Sequence, residues 1–149
     1  MTVPAAIGEL LVRYFGGGSR PNYSETVRAI DREAYSSLRK YLEADPVVKL
    51  EDLTDLNTDL GWWWSVTDGE ERFSVRVSFV GPFAVVLSAG KPVYDNRVCQ
   101  ILRDQGFILL SLAQMETRVS LWGPEDEAPL YEYLFCFDHG LPWDRRPLN

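Results

Sequence analysis

The sequence predicts a single α+β domain over residues 1–149, a two-layer sandwich in which an antiparallel β-meander of four to six strands carries helices packed mainly on one face. Residues 60–88 alternate apolar and polar side chains in three short runs separated by turn signals, which is the period of half-buried strands. The segments on either side repeat apolar residues at three- and four-residue spacing, which is the period of a helix. A chain of 149 residues is long enough to bury one core without disulfides or metals.

Two helices are predicted before the meander. Residues 4–15 place their apolar side chains on one side, with Pro4 in the first turn. The three glycines at 16–18 end this helix and predict a flexible connector, since a phosphate-binding loop would follow a strand and end in Lys-Ser/Thr.

The second helix is predicted over residues 24–43, with Asn22 or Ser24 as its N-cap. Asp45-Pro46 ends it, because the residue before a proline is disfavoured in helical geometry. The outward face of this helix mixes acidic and basic residues and reads as a solvated surface.

An acidic segment leads into the meander. Residues 47–50 predict a short edge strand, and four acids follow within nine residues, interspersed with leucines. A calcium loop requires oxygen ligands at fixed spacing around a central glycine, which this segment lacks. We therefore interpret it as a loop available for contact with a partner. Its acids are Glu51, Asp52, Asp55 and Asp59.

The meander has two unequal faces. Asp68-Gly69 is the signal of a tight hairpin, and Gly81-Pro82 marks a second turn into residues 83–88. Alternation places one set of side chains toward the core: Trp62, Trp64, Val66, Phe73, Val75, Val77 and Phe79. The opposite set is Trp63, Ser65, Thr67, Ser74, Arg76 and Ser78.

After the meander, the pattern predicts a helix over residues 92–105, with Pro92 near its first position and Gly106 as its C-terminal cap. The apolar run at 107–113 predicts a buried strand. Alternation at 115–121 predicts either the continuation of that strand or a second one.

The C-terminal part begins with a turn at Gly123-Pro124. Three acids before Pro129 favour a helix start, so residues 130–137 are predicted as two helical turns, with a final strand as the alternative. The remaining tail is predicted to be irregular and anchored by Trp143.

The net charge of −7 is unevenly distributed. Residues 1–50 carry seven basic and six acidic residues, whereas residues 51–149 carry eight and sixteen. Such a field repels phosphate backbones and attracts basic protein surfaces, although acidic residues also serve solubility alone. The sequence shows neither an export signal nor a membrane-spanning run, and two distant cysteines predict reduced core thiols. We expect a cytoplasmic protein with a protein partner and without nucleic-acid or membrane binding.

No enzyme class is supported by the residues. Cys136 and His139 lie three apart, but the only histidine lies in a turn-rich tail and makes a poor candidate for a catalytic pair. Two cysteines and one histidine at unrelated positions do not form a zinc motif. The carboxylates lie in polar surroundings, without the apolar setting that raises a pKa for acid catalysis. We expect no catalytic residues, no cofactor and no metal.

Trp63 and Arg76 complete the candidate site. Both lie on the face of the meander opposite the core, where a cation–π contact is feasible. Either the C-terminal tail covers this face, or Trp63 is an aromatic anchor in a protein interface. The predicted partner-binding residues are Glu51, Asp52, Asp55, Asp59, Trp63 and Arg76.

The segments VSFVGPFAVVLS and PLYEYLFCFDHGLPWD resemble bacterial immunity proteins of toxin systems. The resemblance implies a non-catalytic cytoplasmic protein that covers the active region of a cognate toxin. The order of elements is also similar to that of class I type III secretion chaperones, which are acidic dimers that bind an effector segment. A small enzyme of unknown class is a third alternative, and both a monomer and a homodimer remain open.

Overall fold

The computed structural model describes residues 5–15, 32–56, 59–120, 127–136 and 140–144. Within these ranges the protein is α+β, with one large, mostly antiparallel sheet and five helices in a two-layer arrangement, which confirms the predicted fold class. The elements are α1 (Ala5–Phe15), α2 (Glu33–Glu43), β1 (Val48–Asp52), β2 (Gly61–Asp68), β3 (Glu71–Ser78), β4 (Phe83–Ser88), β5 (Lys91–Pro92), α3 (Arg97–Asp104), β6 (Ile108–Leu109), α4 (Leu112–Glu116), β7 (Arg118–Val119), β8 (Ala128–Pro129), α5 (Leu130–Leu134) and a 3-10 turn (Pro142–Asp144).

The main sheet confirms the meander and the edge strand before it. Strands β1 to β4 are antiparallel neighbours in chain order. Beyond β4, the short β5 pairs with it antiparallel and β6 pairs with it parallel. Strands β7 and β8 form a separate two-stranded sheet. The edge strand β1 therefore lies beside β2, with the acidic segment at its end.

Two tight turns explain the hairpins. Asp68 pairs with Glu71, so only two residues connect β2 to β3, and Gly69 adopts the positive φ of 65° that the turn requires. Between β4 and β5 both Ala89 (φ 50°) and Gly90 (φ 81°) have positive φ, the pattern of a type I′ hairpin turn.

The core lies between one face of the sheet and helices α2 and α3. Trp64 is only 1% exposed and stacks beside Trp62, with ring centroids 6.1 Å apart. The Tyr35 ring of α2 meets the Trp62 and Phe79 rings edge to face. Its hydroxyl donates to the carbonyl of Ser78 at 2.6 Å, which fastens α2 to β3. The predicted inward face of the meander is therefore correct.

The opposite face is covered at one end by the C-terminal segment. The hydroxyl of Ser78 donates to the carbonyl of Leu134 at 2.6 Å, and the Leu60 N–H donates to the carbonyl of Phe135 at 2.9 Å. Tyr133 packs edge to face on Phe15 of α1. The helix predicted over 130–137 is confirmed for Leu130–Leu134 only, because Cys136 forms an isolated β-bridge with Asp59. The side chains of α5 are buried because both α1 and the sheet contact this segment.

The predicted helix start at Pro92 is wrong. Pro92 lies in β5 and pairs with Leu87, where a residue without an N–H is tolerated at a sheet edge. The helix α3 begins five residues later at Arg97, and Asn96 caps it by accepting the N–H of Cys99 at 2.8 Å. Its end at Asp104 agrees with the predicted stop before Gly106.

The strand predicted over 107–113 is reduced to Ile108–Leu109. Ser111 then begins α4 with a capping box, in which the Ser111 hydroxyl and the Gln114 side chain each accept the other residue's backbone N–H. Met115, predicted in a strand, is buried in this helix, and among the described residues up to 120 the following alternation forms a strand at Arg118–Val119 only. Local capping therefore prevails over the alternating pattern.

The helix predicted over 24–43 is not continuous, because Arg32 is extended (φ −63°, ψ 132°) and precedes the start of α2 at Glu33. Other predictions concern residues outside the described ranges: Pro4, the glycines at 16–18, residues 24–31 with the caps Asn22 and Ser24, the Gly123-Pro124 turn and His139. Among the described helices, none combines the length and apolar character needed to cross a bilayer.

Candidate protein-binding site

The structure gathers the six predicted site residues around β1, β2 and β3. Glu51 is the cross-strand partner of Ser65 in β2, and Trp63 is the partner of Arg76 in β3. Because side chains alternate along a strand, Glu51, Trp63 and Arg76 lie on the same face of the sheet. The predicted residues therefore form one region, although their environments differ.

Three of the acids are exposed to solvent: Glu51, Asp52 and Asp55. The Asp52 carboxylate accepts the N–H of Thr54 at 3.0 Å and lies 3.7 Å from the Arg39 guanidinium of α2. The neighbouring Leu56 is 51% exposed. An exposed apolar side chain beside exposed carboxylates is the composition expected at the rim of a protein interface.

Asp59, the fourth acid, is buried at 6% exposure. One carboxylate oxygen accepts from Arg76 Nη1 at 3.2 Å and from the Cys136 thiol at 3.3 Å. The other oxygen accepts the N–H of Asp55 at 2.8 Å, and the Asp59 N–H donates to the Asp55 carbonyl. Asp59 thus holds the backbone at Asp55 through these hydrogen bonds, and its buried carboxylate is not available to a partner.

Arg76 serves Asp59 and Trp63 together. Its side chain is 12% exposed, and its guanidinium carbon lies 4.5 Å from the centroid of the Trp63 ring, which confirms the predicted cation–π contact. The Trp63 indole N–H donates to the hydroxyl of Ser74 at 2.9 Å. The ring is consequently fixed on both its face and its edge.

The loop after β1 is also tied to Trp63 through the backbone. The Leu53 N–H donates to the Trp63 carbonyl at 2.8 Å, and the Trp63 N–H donates to the hydroxyl of Thr54 at 2.8 Å. Of the three exposed acids, only Asp55 lies in this loop. Glu51 and Asp52 belong to β1, which extends two residues beyond the edge strand predicted over 47–50.

The C-terminal tail covers part of the Trp63 face. Pro142 and Trp63 both line an open groove of about 320 Å³. Trp143 packs edge to face on Tyr131 and donates from its indole N–H to Glu116 at 2.8 Å, so it anchors the tail as predicted. Trp63 is half-buried, which is intermediate between the two alternatives considered from the sequence.

Comparison with known proteins leaves the family open. No protein-family model, curated protein or solved structure matches this chain.

The described residues contain no grouping of three or more His, Cys, Asp or Glu side chains able to hold a metal ion. Cys99 and Cys136 are both buried and not bonded to another cysteine. Burial raises the pKa of the Cys99 thiol, which disfavours the thiolate that a nucleophile needs. Chemically, this region can present carboxylates and a fixed aromatic ring to another molecule.

Sequence reasoning missed three supporting residues: Thr54, Ser74 and Cys136. Ser74 was recognisable as a neighbour of Trp63 on the same face of the meander. Nothing in the sequence pairs Cys136 with Asp59, because 77 residues separate them.

Proposed function

We propose that this protein binds another protein without catalysis, through the surface formed by Glu51, Asp52 and Asp55. The observation that carries the proposal is the exposure of these three carboxylates on ordered backbone. Glu51 and Asp52 lie in β1, which pairs with β2, and the Asp55 N–H donates to the buried Asp59 carboxylate. A surface ordered before binding loses less conformational freedom when a partner arrives. The partner has a basic surface, because carboxylates attract positive charge and raise the rate of encounter.

We further propose that the protein is a cytoplasmic immunity protein, which covers the active region of a cognate bacterial toxin. The support is the combination of the acidic surface, the net charge of −7 and the resemblance of the Val77–Ser88 and 129–144 segments to that class. A toxin that acts on nucleic acid needs a basic active region, and an acidic surface competes with its substrate.

The structure alters the roles within this proposal. Asp59 and Arg76 bind each other inside the protein, so they support the surface from within. Trp63 is fixed by Arg76 and Ser74, is half-buried and lines the groove. The contact itself is assigned to the three exposed acids with Leu56.

The test uses the product of the neighbouring gene as the candidate toxin. We expect co-expression of this protein with the candidate toxin to restore the growth of cells that the toxin inhibits. Calorimetry should show a saturable complex whose affinity falls as the salt concentration rises. In the variant Glu51→Lys/Asp52→Lys/Asp55→Lys, we expect affinity to fall by about tenfold or more, since each exposed ion pair contributes about 0.2–1 kcal/mol and reversal replaces attraction with repulsion.

A matched control reverses three exposed acids elsewhere: Glu70→Lys, Glu71→Lys and Asp104→Lys. It changes the net charge by the same amount. Asp59 is left intact in both variants because reversing a buried charge would unfold the protein rather than test the surface. Equal affinities for the two triple variants would contradict the proposed surface. Binding without growth rescue would retain a protein partner and contradict the toxin-neutralising role.

A further inference from the structure

The groove beside Trp63 has a chemistry that the acidic surface does not use. It lies on the sheet face opposite the core and encloses about 320 Å³, at the small end of the range of pockets that hold small molecules. Its apolar walls come from Leu53, Leu87 and Pro142, and its polar groups come from Ser65, Ser74 and Arg72.

Both serine hydroxyls in the groove are already acceptors. Arg72 Nε donates to the Ser65 hydroxyl at 2.9 Å, and the Trp63 indole N–H donates to the Ser74 hydroxyl at 2.9 Å. A hydroxyl that accepts one hydrogen bond still has its own proton to donate. Ser65 is only 7% exposed, and within the described part of the chain its proton has no acceptor.

The groove is therefore rich in donors. Besides the two hydroxyl protons, the terminal guanidinium nitrogens of Arg72 have no acceptor among the described residues, and this side chain is held in place through Nε. A guanidinium with two parallel N–H groups matches a carboxylate, and such charge-assisted bonds are among the strongest in proteins. Glu51 lies next to Ser65 on the same face and disfavours a ligand with a second carboxylate.

We propose that this groove binds an apolar or aromatic group that carries one carboxylate. The carboxylate accepts from Arg72 and the serine hydroxyls, and the apolar body lies against Trp63, Leu87 and Pro142. Two sources share this chemistry: a free aromatic acid, and the C-terminal residue of a polypeptide. The inference does not depend on the acidic surface having a protein partner.

The test follows the Trp63 indole N–H resonance by NMR, assigned with a Trp63→Phe variant. N-acetyl-L-phenylalanine is the probe, and its amide is the uncharged control of the same shape. We expect the acid to bind about tenfold or more tightly than the amide, because a hydrogen bond to a charged group contributes more than a neutral one. An indole resonance that does not shift, or that responds equally to both probes, would overturn the proposal.

Variants locate the carboxylate. Arg72→Gln should abolish the preference for the acid, whereas Arg103→Gln, which removes an exposed arginine on α3, should preserve it. Ser74→Ala, checked for folding by circular dichroism, provides a second variant and should weaken the acid more than the amide. A preference that survives both Arg72→Gln and Ser74→Ala would place the acid elsewhere and refute the site.

A peptide ending in phenylalanine separates the two sources. If it binds more tightly than N-acetyl-L-phenylalanine and loses that affinity on C-terminal amidation, the ligand is a polypeptide terminus. If the free acid binds and the peptide does not, the groove excludes a longer chain and a small acid is its ligand.

Discussion

The buried pair of Asp59 and Arg76 makes a quantitative prediction about how the acidic surface is held. The perturbations are Asp59→Asn, which removes the charge and keeps the shape, Arg76→Met, which removes the guanidinium and keeps an apolar stem, and the double variant. Each single change leaves a charge without its partner, whereas the double change removes both charges. The coupling between the two substitutions therefore measures the pair itself.

The geometry sets the magnitude. At an effective dielectric constant of about 20, opposite charges 3.2 Å apart attract by about 5 kcal/mol. Desolvation offsets part of this attraction, and removing one member of a buried pair typically costs about 3–5 kcal/mol. Because Arg76 keeps 12% exposure, we expect the lower value, about 3 kcal/mol, for either single variant. The coupling free energy should be about 2 kcal/mol.

The assay is urea unfolding of the four proteins, with the unfolding slope checked for constancy. The control cycle uses Arg39 and Glu43, whose side chains are 45% and 47% exposed at a separation of 2.6 Å. An exposed pair of this kind should show a coupling of only about 0.3–0.5 kcal/mol. If the two cycles give the same coupling, burial does not strengthen the Asp59–Arg76 pair and the reasoning fails.

Three further predictions concern the stability of the fold, and each is checked by denaturant unfolding. Burial raises the pKa of the Tyr35 phenol to about 12, above an unfolded value of about 10. The contribution of the neutral phenol to the free energy of unfolding is complete below about pH 10 and is lost as the pH rises through 12. Over that window the free energy of unfolding of the wild type should fall by roughly 3 kcal/mol more than that of Tyr35→Phe. Ala89→Asn should stabilise by about 1 kcal/mol, because Asn tolerates the positive φ of this position and Asn-Gly is the preferred type I′ sequence, and Ala89→Val should destabilise. Gly61→Ala should destabilise the fold by about 2 kcal/mol or more, since its Cβ would lie 2.2 Å from the carbonyl oxygen of Val77. Gly8→Ala meets open space within α1 and should stabilise the fold by about 0.5–1 kcal/mol. If both variants lower the free energy of unfolding, the steric argument is contradicted.

The sheet was predictable because its signals are local. Alternation along β2 and β3 determines which side chains face the core, and the glycine between the strands marks the turn. All of these signals lie close to one another in the sequence. The helix after the meander was misplaced because Pro92 is compatible with both a helix start and a sheet edge. Asn96 was the better signal, since asparagine favours the N-cap position, where its side chain accepts a backbone N–H.

The region from 107 to 121 shows the same limit. Its apolar run and its alternation predicted strands, but Ser111 and Gln114 form a capping box that begins a helix. A serine followed three residues later by glutamine was present in the sequence. Whether this capping box or the alternating pattern decides the structure depends on how far β6 pairs with β4, and that pairing covers only two positions. The sequence does not show the extent of this pairing.

The candidate site was predictable in its location but not in its division of roles. Charge counting identified Asp59 with its three neighbours, and alternation placed Trp63 beside Arg76. Burial of Asp59 depends on Arg76, 17 residues away, and on Cys136, 77 residues away. The contact with Cys136 depends on how the segment after α5 packs against the sheet, which no local pattern encodes.

The bridge between Asp59 and Cys136 also bears on the order in which the surroundings of Asp59 form during synthesis. Asp59 is synthesised 77 residues before Cys136. The hydrogen bond from the Leu60 N–H to the carbonyl of Phe135 likewise forms only after Phe135 has been added to the chain. A nascent chain can complete the β2–β3 hairpin early, because its contacts are local. In a growing chain the Asp59 carboxylate therefore meets Arg76 before Cys136, and the contacts that bury it are complete only after the residues that follow α5 have been added.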